Sequence, residues 1–158
     1  MVPLRVLFLE DQPDDARLLV HELCRAGFEP SGERAENEAG FVALLDPPPD
    51  VILSDYSLPQ WSGLDALRLV RERGLDVPVI VVSGTMGEEQ AVAAMREGAA
   101  DYLLKDRLAR LGPAVASAME RRRLREDKER AEDEVYLCRR VERAAPGIGA
   151  VYPARGQE

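Results

Sequence analysis

The sequence is poor in the residues that build disulfide, zinc and membrane sites. It contains 2 Cys, 1 His and 1 Trp in 158 residues, and aromatic residues make up 5%. Cys24 and Cys138 lie far apart and neither has a CxxC partner, so we expect reduced thiols and neither a disulfide nor a zinc site. The first apolar run, Leu4 to Leu9, ends at two acids and is too short for a signal peptide or a membrane span. We therefore expect a cytoplasmic protein without membrane association.

Basic residues are outnumbered by acidic residues, with 21 Lys and Arg against 29 Asp and Glu. The formal net charge is −8, which argues against general affinity for nucleic acid, because binding phosphates requires clustered Lys and Arg. Hydrophobic residues make up 46% of the chain, which is enough for one domain with a buried core and an appendage. Charged residues make up 32%, and this high value indicates a long solvated helix.

Short apolar runs alternate with segments of helical periodicity along the first two thirds of the chain. This alternation predicts a doubly wound α/β domain, in which helices cover both faces of a parallel sheet. Connections between its strands should be right-handed. The strands are predicted at 4–9, 51–55, 77–82 and 101–104, and the helices at 13–26, 36–45, 64–73, 88–97 and from about 107 onward.

Reactive side chains lie at the carboxyl end of each of these strands: Glu10 and Asp11, Asp55, Ser83 and Lys105. In a parallel sheet the carboxyl ends of the strands meet at one edge, where chemistry is usually found. Three neighbouring carboxylates repel one another unless a cation lies among them, and oxygen ligands from few protein groups suit Mg²⁺. An aspartate beside such a metal can act as a nucleophile toward phosphorus. The lysine and the serine hydroxyl can then bind the phosphoryl oxygens.

Four segments carry a resemblance to a known family. VLFLED, VILSDYSLP, VIVVSG and GAADYLLK occur in the order and spacing of the receiver domain of bacterial response regulators, which the chain resembles from residue 4 to about residue 112. The resemblance implies a flavodoxin-like, five-stranded parallel sheet and a role as phosphoacceptor in a two-component system. The donor would be a phosphohistidine on a sensor histidine kinase or a phosphotransfer protein. The domain would catalyse its own phosphorylation and later dephosphorylation, without turning over an external substrate.

The resemblance also implies a role for each matching acid. Asp55 would accept the phosphoryl group. Asp11 would bind Mg²⁺ directly, Glu10 would bind it mainly through water, and Asp55 and the backbone carbonyl of Ser57 would complete the protein ligands.

The remaining matches concern the phosphoryl oxygens and a switch. Ser83 and Lys105 would contact the phosphoryl oxygens, and Tyr102 matches an aromatic position that turns inward when Ser83 is drawn toward the phosphate. An aromatic residue at a strand end is equally well explained as the edge of the core. The family's lysine is usually followed by a proline with a cis bond, whereas Asp106 follows Lys105 here. Because a cis bond before a residue other than proline is costly, we expect a trans bond.

Two other functions are compatible with parts of this pattern. A pseudo-receiver would keep the fold as a scaffold for protein interactions without being phosphorylated, and the departure at Asp106 is the main reason to consider it. A Mg²⁺-dependent phosphohydrolase would be expected to carry an acid two residues after the nucleophile, where this chain has Ser57.

The last third of the chain differs in composition from the rest. MERRRLREDKERAEDEVYLCRRVERA contains no Gly or Pro and many opposite charges, which predicts that the final helix of the domain continues. This helix is either solvated or part of a two-stranded coiled coil in a homodimer, since the spacing from Ala131 to Cys138 fits a heptad. We expect a receiver domain at 1–112, a charged helix or coiled-coil linker at 113–145 and a flexible tail at 146–158. KDRL followed by a charged helix resembles receivers that precede a sensor or kinase module.

Overall fold

A computed structural model describes residues 1–85 and 87–144, and strands and helices alternate along them. In chain order the elements are β1 (Val2–Leu9), α1 (Pro13–Arg25), β2 (Phe28–Ser31), β3 (Arg34–Ala35), α2 (Glu38–Leu44), β4 (Val51–Asp55), β5 (Ser57–Leu58), β6 (Trp61–Ser62), α3 (Gly63–Glu72), β7 (Val79–Ser83), α4 (Glu88–Arg96), β8 (Asp101–Leu104), a 3-10 turn (Leu108–Arg110) and α5 (Leu111–Ala144).

Five strands form a parallel sheet in the order β2-β1-β4-β7-β8, which confirms the predicted doubly wound fold. The two-residue strand β3 also pairs with β1, where Phe8 faces Arg34 and Leu9 faces Ala35. The short strands β5 and β6 form a separate antiparallel pair directly after β4. The apolar runs predicted β1, β4, β7 and β8, whereas β2, with the sequence FEPS at the sheet edge, has no apolar run.

The core lies on both faces of the sheet because side chains alternate along each strand. On one face Leu7, Ile52 and Val81 pack with α2, α3 and α4 through residues such as Phe41. On the other face, strand residues including Phe8 pack with α1 and the first turns of α5. Covering both faces leaves the carboxyl ends of the strands as the edge at which polar side chains can gather.

Other features bear on what the sequence predicted. The Lys105–Asp106 peptide bond is trans, as expected, since the cis bond among the described residues is Asp46–Pro47. Cys24 and Cys138 are exposed free thiols. In the described parts of the chain, no helix is long and apolar enough to cross a membrane.

The chain divides into two compact units, Met1–Arg122 and Arg123–Glu158. In the second unit the described residues, 123–144, are helical and exposed, including the apolar side chains of Leu124, Val135 and Val141. The flexible tail predicted at 146–158 lies outside the described residues. The expected division at 112 and 145 remains a prediction.

A glycine at the start of α3 permits a close approach to the segment that carries Asp55. The Gly63 amide donates to the carbonyl oxygen of Tyr56 at 2.9 Å. A Cβ atom at this position would lie 2.7 Å from the Asp55 carbonyl oxygen and 3.2 Å from the Ser54 hydroxyl. Since the nearest atom is backbone, a side chain here would displace the strand end.

We therefore expect Gly63→Ala to lower the free energy of unfolding by about 1–3 kcal/mol through overpacking, measured by urea denaturation. Gly40→Ala is the matched control, because Gly40 also lies in the first turn of a helix but its Cβ would meet nothing closer than 3.4 Å. This control should stay unchanged or gain up to about 1 kcal/mol from helix propensity. Equal stability of the two variants would contradict the assignment of close packing to Gly63.

Candidate functional site

A single ammonium group lies among three carboxylates at the carboxyl edge of the sheet. Lys105 directly follows β8, and its Nζ atom is 2.8 Å from Asp15 Oδ2, 2.9 Å from Glu10 Oε2 and 3.1 Å from Asp55 Oδ2. The structure therefore brings Glu10, Asp55 and Lys105 together at the edge of the sheet where the sequence analysis placed them. Asp15, in the first turn of α1, joins them and was not predicted.

Three of the acids are also close enough to share a cation. Glu10, Asp11 and Asp55 each offer a carboxylate oxygen, and these oxygens all lie within 4.8 Å of one another. With Asp15, the cluster contains four carboxylates and one ammonium group, so it keeps an excess of negative charge. A divalent cation with oxygen ligands fits both this charge and this donor set.

Glu10 is the most buried member of the cluster, with 1% of its surface exposed. Its Oε1 atom accepts a hydrogen bond from the Gln12 amide at 3.1 Å, and its Oε2 atom faces Lys105. Burial raises the pKa of Glu10 to about 7, against the lowering effects of Lys105 and the Gln12 amide, and the charge of Asp55 raises it further. A cation close to Glu10 would favour its ionised form.

The Lys105 ammonium responds to the same surroundings. Burial lowers the pKa of Lys105, but the hydrogen bonds to Asp15, Glu10 and Asp55 raise it more, so the net shift is upward. The amine is therefore held protonated, as a group that binds phosphoryl oxygens must be.

An arginine fixes the backbone that carries the first two acids. Arg34, in β3, donates from Nη1 to the carbonyl oxygen of Glu10 at 3.0 Å and to Glu36 Oε1 at 2.6 Å. No sequence pattern marked Arg34, because its role depends on a pairing of only two residues between β3 and β1.

The turn after β4 contains Ser57, which was also predicted to belong to the site, and Trp61. The Ser57 amide lies 3.4 Å from Asp55 Oδ1, so Ser57 is adjacent to the carboxylate. Trp61, in the same turn, packs against Phe41 with ring centroids 5.3 Å apart in an edge-to-face arrangement. The tryptophan therefore anchors the turn to the core.

Ser83 is the last residue of β7 and Tyr102 lies within β8, and both side chains contact a neighbouring loop. The Ser83 hydroxyl lies 3.2 Å from the Thr85 amide and 3.3 Å from the Thr85 carbonyl oxygen. The Tyr102 hydroxyl donates to the same carbonyl oxygen at 3.4 Å and also lies 3.4 Å from Gln90 Oε1. Among the hydrogen bonds of the described residues, none joins the Ser83 side chain to Asp55 or Lys105.

Comparison with known proteins gives a consistent result. Residues 6–115 match the model of the response regulator receiver domain family. The chain is 34% identical over 105 residues to the probable C4-dicarboxylate response regulator DctR of Halalkalibacterium halodurans, covering 65% of this chain and 45% of the relative. It is 32% identical over 103 residues to the phosphate regulon transcriptional regulatory protein PhoB of Klebsiella pneumoniae, covering 64% and 44%. This chain therefore spans less than half the length of these two relatives.

A solved structure shows the same likeness in three dimensions. A response regulator receiver domain protein from Clostridium thermocellum superposes with a TM-score of 0.67 at 26% identity, covering 77% of this chain and 98% of that one. The family match includes the carboxyl ends of β1, β4 and β8, where Glu10, Asp55 and Lys105 of the charged cluster lie. The chain therefore belongs to the response regulator receiver domains, the signalling modules of two-component systems.

Proposed function

We propose that Asp55 accepts a phosphoryl group from a phosphohistidine on a sensor histidine kinase or a phosphotransfer protein. The observation that carries the proposal is the 3.1 Å contact between the Asp55 carboxylate and the Lys105 ammonium within a cluster of acids. An acceptor needs a carboxylate that is accessible yet flanked by positive charge for the incoming anion. The Asp55 side chain keeps 12% of its surface exposed and lies beside the Lys105 ammonium, which supports this role.

The proposed transfer is a simple exchange of bonds. A carboxylate oxygen of Asp55 forms a bond to phosphorus, and the bond between phosphorus and the donor imidazole nitrogen breaks. The electron pair of that bond returns to the imidazole, which takes up a proton. Lys105 stabilises charge on the phosphoryl oxygens, and positioning and electrostatics supply most of the catalysis. Hydrolysis of the acyl phosphate later restores Asp55.

The same cluster would hold Mg²⁺. Asp11 and Asp55 would bind the ion directly, Glu10 mainly through water, and the backbone carbonyl of Ser57 would complete the protein ligands. The convergence of three carboxylate oxygens and the raised pKa of buried Glu10 support this assignment. When bound, Mg²⁺ offsets negative charge on both the acids and the phosphoryl oxygens.

The output of the domain would be a change in protein contacts through Ser83 and Tyr102. Both hydroxyl groups lie within hydrogen-bonding distance of the Thr85 carbonyl oxygen. Movement of Ser83 toward a phosphoryl group on Asp55 would break its contact with Thr85. The loop that Tyr102 contacts would then move, which provides a physical coupling between phosphorylation and the surface around Tyr102.

The wider assignments belong to the same proposal. Residues 1–112 would be the receiver and 113–145 a linker, either solvated or paired in a homodimer. We also propose a cytoplasmic location. The proposed lack of nucleic-acid binding applies to the residues of this chain and not to its relatives, since PhoB is by name a transcriptional regulatory protein. A pseudo-receiver that acts as a scaffold without phosphorylation is the alternative.

Incubation with phosphoramidate and Mg²⁺ should raise the intact mass of the protein by one phosphoryl group, because a small donor can replace phosphohistidine at an accessible carboxylate. Asp55→Asn should abolish the gain, and a metal chelator should suppress it by at least about tenfold. Intact-protein mass spectrometry makes the measurement.

Asp14→Asn is the matched control, since it removes the same charge from an acid whose side chain is 91% exposed and pairs with Arg17. It should be phosphorylated like the wild type. A folded wild type that gains no mass from phosphoramidate or acetyl phosphate would support the scaffold alternative.

The stability of the metal-free protein should depend on pH through Glu10. The pKa of Glu10 is about 7 in the folded state and 4.5 as the ordinary value, so the folded state binds more protons than the unfolded state between these pH values. The free energy of unfolding should therefore fall as pH rises from about 4.5 to 7, by on the order of 3 kcal/mol from this group. Urea denaturation in the presence of a chelator, at steps between pH 5 and pH 8, measures the slope.

Glu10→Gln should flatten this part of the pH profile, because the amide does not titrate. Added Mg²⁺ should stabilise the wild type more at pH 8 than at pH 5, since the ion binds the ionised form. A profile that is the same for Glu10→Gln and wild type would refute the assignment of the raised pKa to Glu10.

A further inference from the structure

An aspartate outside the three-carboxylate group makes the shortest contact with the lysine. Asp15 Oδ2 lies 2.8 Å from Lys105 Nζ, compared with 2.9 Å for Glu10 and 3.1 Å for Asp55. Asp15 is not among the acids whose oxygens lie together within 4.8 Å, which are Glu10, Asp11 and Asp55. Among the described residues, it is therefore the carboxylate partner of Lys105 that lies outside the candidate metal site.

We propose that Asp15 is a positioning residue that holds the Lys105 ammonium beside Asp55 when a metal ion engages Glu10 and Asp55. The inference rests on the proposed function, because it concerns how the lysine meets the phosphoryl group. It assigns to α1 a direct part in the site, in addition to its packing on the sheet.

The need for such a residue follows from the chemistry of lysine. Its ammonium is a compact, strongly hydrated charge on a flexible stem, and burial opposes its charged form. Two of its three carboxylate partners, Glu10 and Asp55, would also be attracted to a divalent cation. Without a third partner, the ammonium would lose its fixed position at the moment when the phosphoryl group arrives.

Helix α1 holds Asp15 in the required place. Pro13 begins the helix, and the Ala16 amide donates to the Gln12 carbonyl oxygen at 3.2 Å, which fixes the first turn. Asp15 is part-buried against Lys105, with 33% of its side chain exposed. Asp14, one residue earlier, points to solvent and pairs with Arg17. Substituting Asp14 or Asp15 removes the same charge from neighbouring positions of the same helix, so Asp14 is a matched control for Asp15.

Competitive amine labelling measures the reactivity of the Lys105 amine, which depends on its contacts, and does not require phosphorylation. The chain has two lysines, Lys105 and Lys128, and Lys128 is 77% exposed, so it serves as an internal reference. With trace acetic anhydride and no metal, Asp15→Ala should raise the Lys105 to Lys128 labelling ratio severalfold, because the Lys105 amine loses its shortest contact and becomes more accessible to the reagent. Asp14→Ala should leave the ratio unchanged, and added Mg²⁺ should widen the difference between Asp15→Ala and wild type.

The rate of phosphorylation by phosphoramidate and Mg²⁺ tests whether this position matters for transfer. Asp15→Ala should slow the initial rate by about fivefold or more, because the ammonium is no longer fixed near the reacting oxygens. Asp15→Asn should stay within about twofold of wild type, because its amide oxygen still accepts a hydrogen bond from the lysine. Circular dichroism verifies that each variant is folded.

Each outcome bears on a distinct claim. If Asp15→Ala leaves the labelling ratio unchanged while the wild type is phosphorylated, the inference is overturned and the proposed function stands. If labelling rises but the phosphorylation rate of Asp15→Ala equals that of wild type, Asp15 is a structural ion-pair partner and the positioning role is overturned. If the wild type gains no phosphoryl group, the proposed function fails, and the positioning role fails with it.

Discussion

Repulsion among carboxylates that the fold brings together is the constraint on which the site depends. A parallel sheet places the carboxyl ends of its strands at one edge, so the acids after β1 and β4 become neighbours although 44 or more residues separate them in the chain. One ammonium, that of Lys105, offsets part of this repulsion. A divalent cation would offset the excess of negative charge that remains at this edge of the sheet.

Residues around the cluster hold in place the backbone that carries its side chains, and they do not add charge to the cluster. Gly63 allows α3 to begin against the Asp55 carbonyl, and Arg34 holds the Glu10 carbonyl. Trp61 anchors the turn after β4 to Phe41. Such contacts matter because Coulomb interactions over 3 Å change steeply with distance, so a site built on charge requires a rigid frame.

The sequence predicts those features that depend on local patterns. Apolar runs located β1, β4 and β7, because a strand buried on both faces must be apolar throughout, and a shorter apolar run located the edge strand β8. Strand β2 lies at the edge and contains Pro30, so its pairing comes from the position of its neighbours and leaves no run to detect. Asp14 and Asp15 are indistinguishable as acids in the first turn of a helix, and only the packing of α1 determines that one faces Lys105 and the other faces solvent. The contacts of Ser83 with Thr85 likewise depend on a side-chain orientation that no spacing encodes.

The energetics of Glu10 bear on the choice between a phosphoacceptor and a scaffold. A carboxylate that is 1% exposed with a raised pKa destabilises the ionised, metal-free fold. A domain that served only as an interaction surface would not need a buried ion pair at this position, because replacing both members of such a pair by uncharged side chains of similar volume is often neutral or stabilising. In the proposed function, a bound cation and an anionic phosphoryl group would each offset charge that the other leaves uncompensated. The arrangement of these acids around Lys105 therefore supports the proposed phosphoacceptor role over the scaffold alternative.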